Sequence, residues 1–303
     1  MSILDLTERD PEPSDLHPTA PIPRHAPAEG PTGARRLRLR RIQPGLVLSM
    51  VILVLVVLWA IVPGLFTVYD PFAGQPGQQL KAPSALHLLG TDSLGRDVYG
   101  RIVYGAVNSL SGALAAVAIG LLLGTTLGIF AGAFGGWIDA AIMRFVDVLL
   151  SIPALLLSLS VIALLGFGTT HAAIAVGVTS IGRFARLMRS EVVTVRRSDY
   201  VEAAFGSGGT FLQVLWRHIL PNSLTSVIGF TALQIGWAIL QLATLGFLGF
   251  GAPPPTPEWG LLIAEGRNYI STAWWLTAAP GIVVVLVVLS VNRVSQAIGR
   301  ARI

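Results

Sequence analysis

A chain of 303 residues that is 53% hydrophobic and only 12% charged has too little polar surface for a soluble protein of its size, since soluble domains carry about a quarter of their residues as Asp, Glu, Lys or Arg. Its net charge of +5 sits in arginines beside the ends of apolar runs, where lipid headgroups lie, which argues against nucleic acid as a partner. The absence of cysteine excludes disulfides, Cys-ligated zinc and thiol nucleophiles. The only lysine, Lys81 in QQLKAPS, lies outside any Gly-x-x-x-x-Gly-Lys-Ser/Thr loop, so ATP, if used, is bound elsewhere.

The first 44 residues are rich in Pro and charge and show no helical period, so a disordered tail is expected over 1–44. It ends in Arg35, Arg36, Arg38, Arg40 and Arg41, a topology signal or a lipid or partner site. The apolar run over 45–66 is longer than a signal-peptide core and lacks a small-x-small cleavage site, so it reads as a retained span. Five further runs, near 109–133, 149–167, 171–187, 224–247 and 276–297, can each cross about 30 Å of hydrocarbon at about 1.5 Å per residue. Their interiors carry almost no charge, each instance of which costs about 2.5–3.5 kcal/mol at a span centre. The expected fold class is all-α, a polytopic membrane protein with six transmembrane helices over 45–303.

Between the first two spans lies a polar segment, about 67–108. Placing it outside leaves Arg144, Arg186, Arg189, Arg196, Arg197, Arg217, Arg300 and Arg302 inside. The outside then holds Lys81, Arg96 and Arg101, balanced by Asp70, Asp92 and Asp97, with Arg267 beside Glu258 and Glu265. The positive-inside rule thus predicts both termini in the cytoplasm. In the second span Gly120, Gly124, Gly128 and Gly132 share one helix face, for close packing within the subunit or against a partner, or for lining a pore.

The loop between the fourth and fifth spans, about 189–222, contains SDYVEAAFGSGGTFLQVLWRHILPNS. Asp199 and Glu202 form a D-x-x-E pattern that can cap a helix. Tyr200, Val201, Ala203 and Ala204 continue that helix with a small-residue face, and Gly206, Ser207, Gly208 and Gly209 stop it. A second helical stretch is expected from Phe211 to Leu220, broken by Pro221. Two adjacent alanines beside Glu202 suit a docking knob for another protein's groove; an interfacial hairpin without a partner is the alternative.

Glu202-Ala203-Ala204, three residues, Gly208, ten residues and Ile219-Leu220-Pro221 together resemble the EAA loop of bacterial ABC importer permeases. His87-Leu88-Leu89-Gly90-Thr91-Asp92-Ser93-Leu94-Gly95-Arg96-Asp97-Val98 resembles the outer segment of the C-type permease of dipeptide, oligopeptide and nickel importers. So do Gly135-Gly136-Trp137-Ile138-Asp139, Arg144 through Asp147 to Ile152-Pro153, and Pro254-Pro255-Thr256-Pro257-Glu258-Trp259-Gly260 with Ala264-Glu265-Gly266-Arg267. The likeness runs from about Gly45 to the C-terminus.

The resemblance implies a type I ABC importer permease fold in a bacterial cytoplasmic membrane. It implies a second homologous permease subunit as heterodimer partner, two ATPase subunits that carry ATP and Mg, and an extracytoplasmic substrate-binding protein. The chain itself would hold no cofactor or metal and catalyse no reaction, and its cargo would be peptides. Its ATPase-coupling residues would be Tyr200, Glu202, Ala203, Ala204, Gly208, Ile219, Leu220 and Pro221. Asp92, Arg96, Asp97 and Trp259 would form an outer cap or a binding-protein contact. Two departures stand out. Phe205-Gly206-Ser207 replaces an Arg-Ala-Leu-like step, predicting a coupling helix that is shorter or less ordered until docked, and Gln241 stands where many relatives carry glutamate.

A peptide path needs polar groups facing a cavity. Gln234 and Gln241, seven apart on one helix face, and Ser151 and Ser158, near Ser160 and a kink at Pro153, either line it or hydrogen-bond between spans. A proton- or ion-coupled carrier would need membrane-embedded ionisable groups. A membrane enzyme would need a ligand spacing that the five histidines do not form.

Overall fold

The computed structural model describes residues 44–300, all within the larger of two units, Ile42–Ile303. The expected tail therefore lies outside the described residues, apart from Pro44. Helix α1 (Pro44–Ile61) ends before Pro63, which cannot donate to a continuing helix. Helix α2 (Val98–Phe134) follows an irregular segment and begins eleven residues earlier than the expected span. Its N-cap is Asp97, whose carboxylate accepts the Gly100 N–H at 2.6 Å.

The expected third span is two helices, α3 (Gly136–Ser151) and α4 (Ala154–Leu165), bent by 95°. Pro153 holds Ile152 extended at φ −84° and ψ 128°, so the helix cannot run through. Helix α5 (Thr169–Arg196) leads into α6 (Asp199–Gly206) and α7 (Phe211–Val214), then a π turn over Leu215–Ile219 and α8 (Leu220–Phe247). Pro221 does not break this path, contrary to expectation; Phe211–Phe247 runs on as one helical stretch. The wide turn before it accommodates the missing N–H and the ring. Helices α9 (Trp259–Gly266) and α10 (Trp275–Arg300) complete the chain.

Four helical stretches among the described residues are long and apolar enough to span a membrane, and the α3–α4 pair, bent by 95°, is a broken fifth span or a re-entrant loop. Helix α5 has the length for the sixth, roughly 42 Å, but Arg183, Arg186, Arg189, Glu191 and Arg196 crowd its second half. It is held by protein. A Cβ built at Gly124 would stand 2.5 Å from the Ile181 carbonyl oxygen, and one at Gly128 2.5 Å from that of Ala185. Gly120 and Gly132 meet Ser180 and Val192 in the same way. The glycine stripe thus seats α5 against α2 within this chain, and backbone contact replaces side-chain volume.

Candidate functional site

The loop after α5 is built on a fixed platform. Arg189 forks onto Asp139 of α3 at 3.0 and 2.6 Å, and Arg186 reaches Asp147 at 2.7 Å. Arg196 donates to the Ala133 carbonyl at the end of α2. The Phe211 ring packs on Phe134 at 5.6 Å. Only Arg197 and Ser198 separate α5 from α6, so a displacement of α6 is passed to α5 with little slack.

Ser198, not Asp199, is the N-cap of α6, and its hydroxyl donates back to Val195 instead of capping. Asp199 and Glu202 occupy the first turn, where carboxylates complement the helix dipole. The helix closes in a Schellman motif, in which Gly208 N–H donates to Phe205 O at 2.9 Å and Gly209 N–H to Ala204 O at 3.1 Å. Gly208 has φ +87°, a conformation that favours glycine. Gly206 is helical despite the Phe205-Gly206-Ser207 step, so α6 keeps all eight residues. A capping box between Thr210 and Gln213, unforeseen from sequence, starts α7.

Burial divides the loop into anchor and face. Val201, Ile219 and Leu220 are sealed into the core. Tyr200, Glu202, Ala203, Gly208 and Pro221 are exposed, and Ala204 is half-buried. Tyr200, Glu202 and Ala203 therefore point away from the chain with no internal partner for the Glu202 carboxylate among the described residues.

At the far end of α2 the pattern inverts. Asp92 accepts from Arg96 Nε at 2.7 Å and Arg101 Nη1 at 2.9 Å, and Glu265 of α9 also pairs with Arg101. Asp97 bonds the His87 ring at 2.9 Å while capping α2. Asp92, Arg96, Asp97 and Arg101 are all buried, so they form the folded cap and offer no surface to a binding protein. Trp259 belongs to the same packed cap, fully buried with its indole N–H donating to the Ile102 carbonyl at 3.0 Å.

The sequence of residues 124–303 matches the family model of the binding-protein-dependent transport system inner membrane component. A dipeptide transport system permease protein of Alkalihalophilus pseudofirmus is 40% identical over 82% of this chain and 82% of its own length. The chain belongs to this permease family. A probable D,D-dipeptide transport system permease protein of Escherichia coli is 39% identical over 86% of this chain and 87% of that one. The structure of an amino acid ABC transporter crystallised with histidines superposes with a TM-score of 0.55 at 15% identity, over 67% of this chain and 94% of that chain, and shares the type I ABC importer permease fold.

Within the permease, the four residues expected along a pathway do not form one lining. Ser158 is fully buried and Gln234 nearly so; Ser158 Oγ and Gln234 Nε2 have no partner among the described residues. Neither makes the alternative interhelical hydrogen bond. Ser151 is exposed at the α3–α4 bend and donates to Val148 O at 2.8 Å, and Gln241 is half-buried on α8. Sequence reasoning passed over Arg183, whose guanidinium lies 3.7 Å from the centroid of the Trp237 ring. Its signal was a charge inside the expected 171–187 run, one turn before Arg186.

Glu258 is the remaining unusual group. It caps α9 through the Gly260 N–H and lies where Cβ atoms on Gly246 and Gly251 would fall. Burial pushes its carboxyl up to about 7, against the backbone N–H groups of Gly260, Ala252 and Leu261, which pull it down.

Proposed function

We propose that this permease is one subunit of a heterodimer that carries peptides across a bacterial cytoplasmic membrane, driven by two ATPase subunits that dock on α6. The observation that carries the reading is the exposed Tyr200–Glu202–Ala203 face on a helix whose other side is anchored by Val201. Small residues let a partner groove approach the backbone closely, and Glu202 supplies a charge for a basic or amide group there. ATP and Mg belong to the ATPases, and an extracytoplasmic binding protein delivers the peptide. The arginines beside α6 favour the cytoplasm, which puts both termini there. ATP-driven closure of the ATPases pushes α6, and the short 197–198 link passes the push to α5 and, through the glycine stripe, to α2.

The dipeptide cargo named for the relatives supports the choice of peptides. In proteoliposomes containing the full complex, di- to oligopeptides, Ni²⁺ and haem are offered in turn with ATP inside. Peptide uptake is expected, and its loss in a Glu202→Arg, Ala203→Asp double variant that no longer retains the ATPases. Uptake of nickel alone overturns the cargo, and transport that survives the double substitution overturns the docking.

A further inference from the structure

Helix α5 carries four arginines, and three have partners in this chain. Arg186 and Arg189 pair with Asp147 and Asp139, and Arg196 donates to a backbone carbonyl. Arg183 makes no hydrogen bond or ion pair among the described residues and stacks on Trp237 instead. It sits midway along α5, roughly 20 Å from either end at 1.5 Å per residue, and both it and Trp237 are only partly buried.

Stacking engages the flat face of a guanidinium and leaves its five N–H donors at the edge. Arg183 is the first arginine of α5, one turn before Arg186, and a cation there is not left against lipid, where it would be strongly disfavoured; such groups face a bundle interior or a water-filled cavity. The α8 surface beside it is uncovered by this chain. Leu233, Leu240 and Phe247 are exposed there, and Trp237, Gln241 and Thr244 half-exposed, all within one helix face. That face holds no acidic side chain, so the positive charge is unanswered among the described residues.

We propose that Arg183, held flat by Trp237, is a carboxylate-binding station on the translocation path, where the free C-terminal carboxylate of a peptide in transit is received. The station rests on the peptide reading given above. A planar fork of N–H donors matches a carboxylate bidentately, in charge-assisted bonds stronger than those to a neutral amide. Leu233 and Leu240 beside the indole give the peptide's side chains apolar contact. Gln241 lies one turn from Trp237 and can bond the peptide backbone. Gln241 is neutral, which leaves the cation free for an anionic guest.

The test uses the complete complex in proteoliposomes, with peptides and their C-terminal amides drawn from pairs that the unsubstituted complex imports. For each peptide the rate with Arg183→Gln is divided by the unsubstituted rate, so that any preference of the binding protein cancels. The free acids should slow about tenfold or more and the amides less than twofold, with Arg183→Lys intermediate because it keeps charge but loses the fork. Trp237→Leu should slow the acids by a smaller factor. Equal slowing of acids and amides overturns the station, and assigns Arg183 to pairing with the second permease; no slowing of either overturns it as well. A complex that imports no peptide at all overturns the peptide reading and the station together, so the two failures are told apart.

Discussion

The cap and the coupling loop use similar residues to opposite ends. In the cap, Asp92 is buried with two arginines around it, and every acidic group there has a cation or a backbone N–H inside the chain. In the loop, Glu202 and Asp199 stand exposed on a helix with no cation to meet them among the described residues. The cap uses its charges for its own cohesion, whereas the loop leaves its charge exposed, as the proposed docking requires. Burial, not residue type, separates a structural carboxylate from a docking one.

The largest break in this contrast comes from Asp92→Ala. It leaves Arg96 and Arg101, 4% and 1% exposed, with Glu265 as the one carboxylate still paired to them among the described residues. Removing one partner of a buried ion network destabilises by about 3–5 kcal/mol, so thermal unfolding in nanodiscs should start markedly lower. Asp199→Ala on α6 should shift the same curve by less than about 0.5 kcal/mol. Comparable shifts at the two sites would erase the distinction.

Glu258 gives the next effect, through pH. Its carboxyl is raised from 4.5 to about 7, so the folded protein holds a proton that the unfolded chain releases. Stability is therefore greatest below about 4.5 and falls as pH rises to about 7, then levels. Glu258→Gln should flatten that slope and stabilise the protein at pH 8 by up to about 3 kcal/mol, seen in unfolding curves taken across pH. An unchanged slope would assign the pH dependence to other groups.

Smaller effects sharpen the picture of α6. Gly208→Ala forces a side chain into φ +87° and should cost roughly 1–2 kcal/mol of local stability. Gly206→Ala should do the reverse, gaining up to about 1 kcal/mol, because a Cβ there meets nothing within 4 Å. Hydrogen exchange at α6 amides reads both.

Much of this was legible in the sequence. Apolar runs located the spans because lipid permits few charges, and the EAA spacing located α6 because Gly208 has a backbone reason to be glycine. Other features depended on contacts far apart in sequence. The Asp92–Arg101–Glu265 network joins residues 164 positions apart, so no local pattern could say that these charges would be buried. For Trp259 the sequence left a cap and a binding-protein contact equally open, because its partner, the Ile102 carbonyl, lies 157 positions away. Pro221 carried the signal of a helix break, and only the π turn before it explains why the helix continues. Arg183 was hidden for another reason, since the 171–187 run is apolar enough on average to mask both Arg183 and Arg186.

The proposed docking requires that α6 present its Ala203 face to an ATPase on the cytoplasmic side. The chain has no cysteine, so Ala203→Cys creates its only thiol. Labelling by a membrane-impermeant maleimide should occur in inside-out vesicles stripped of ATPase and fall sharply when the ATPase subunits are restored. Labelling from the opposite face, or labelling that the ATPases leave unchanged, would contradict the account.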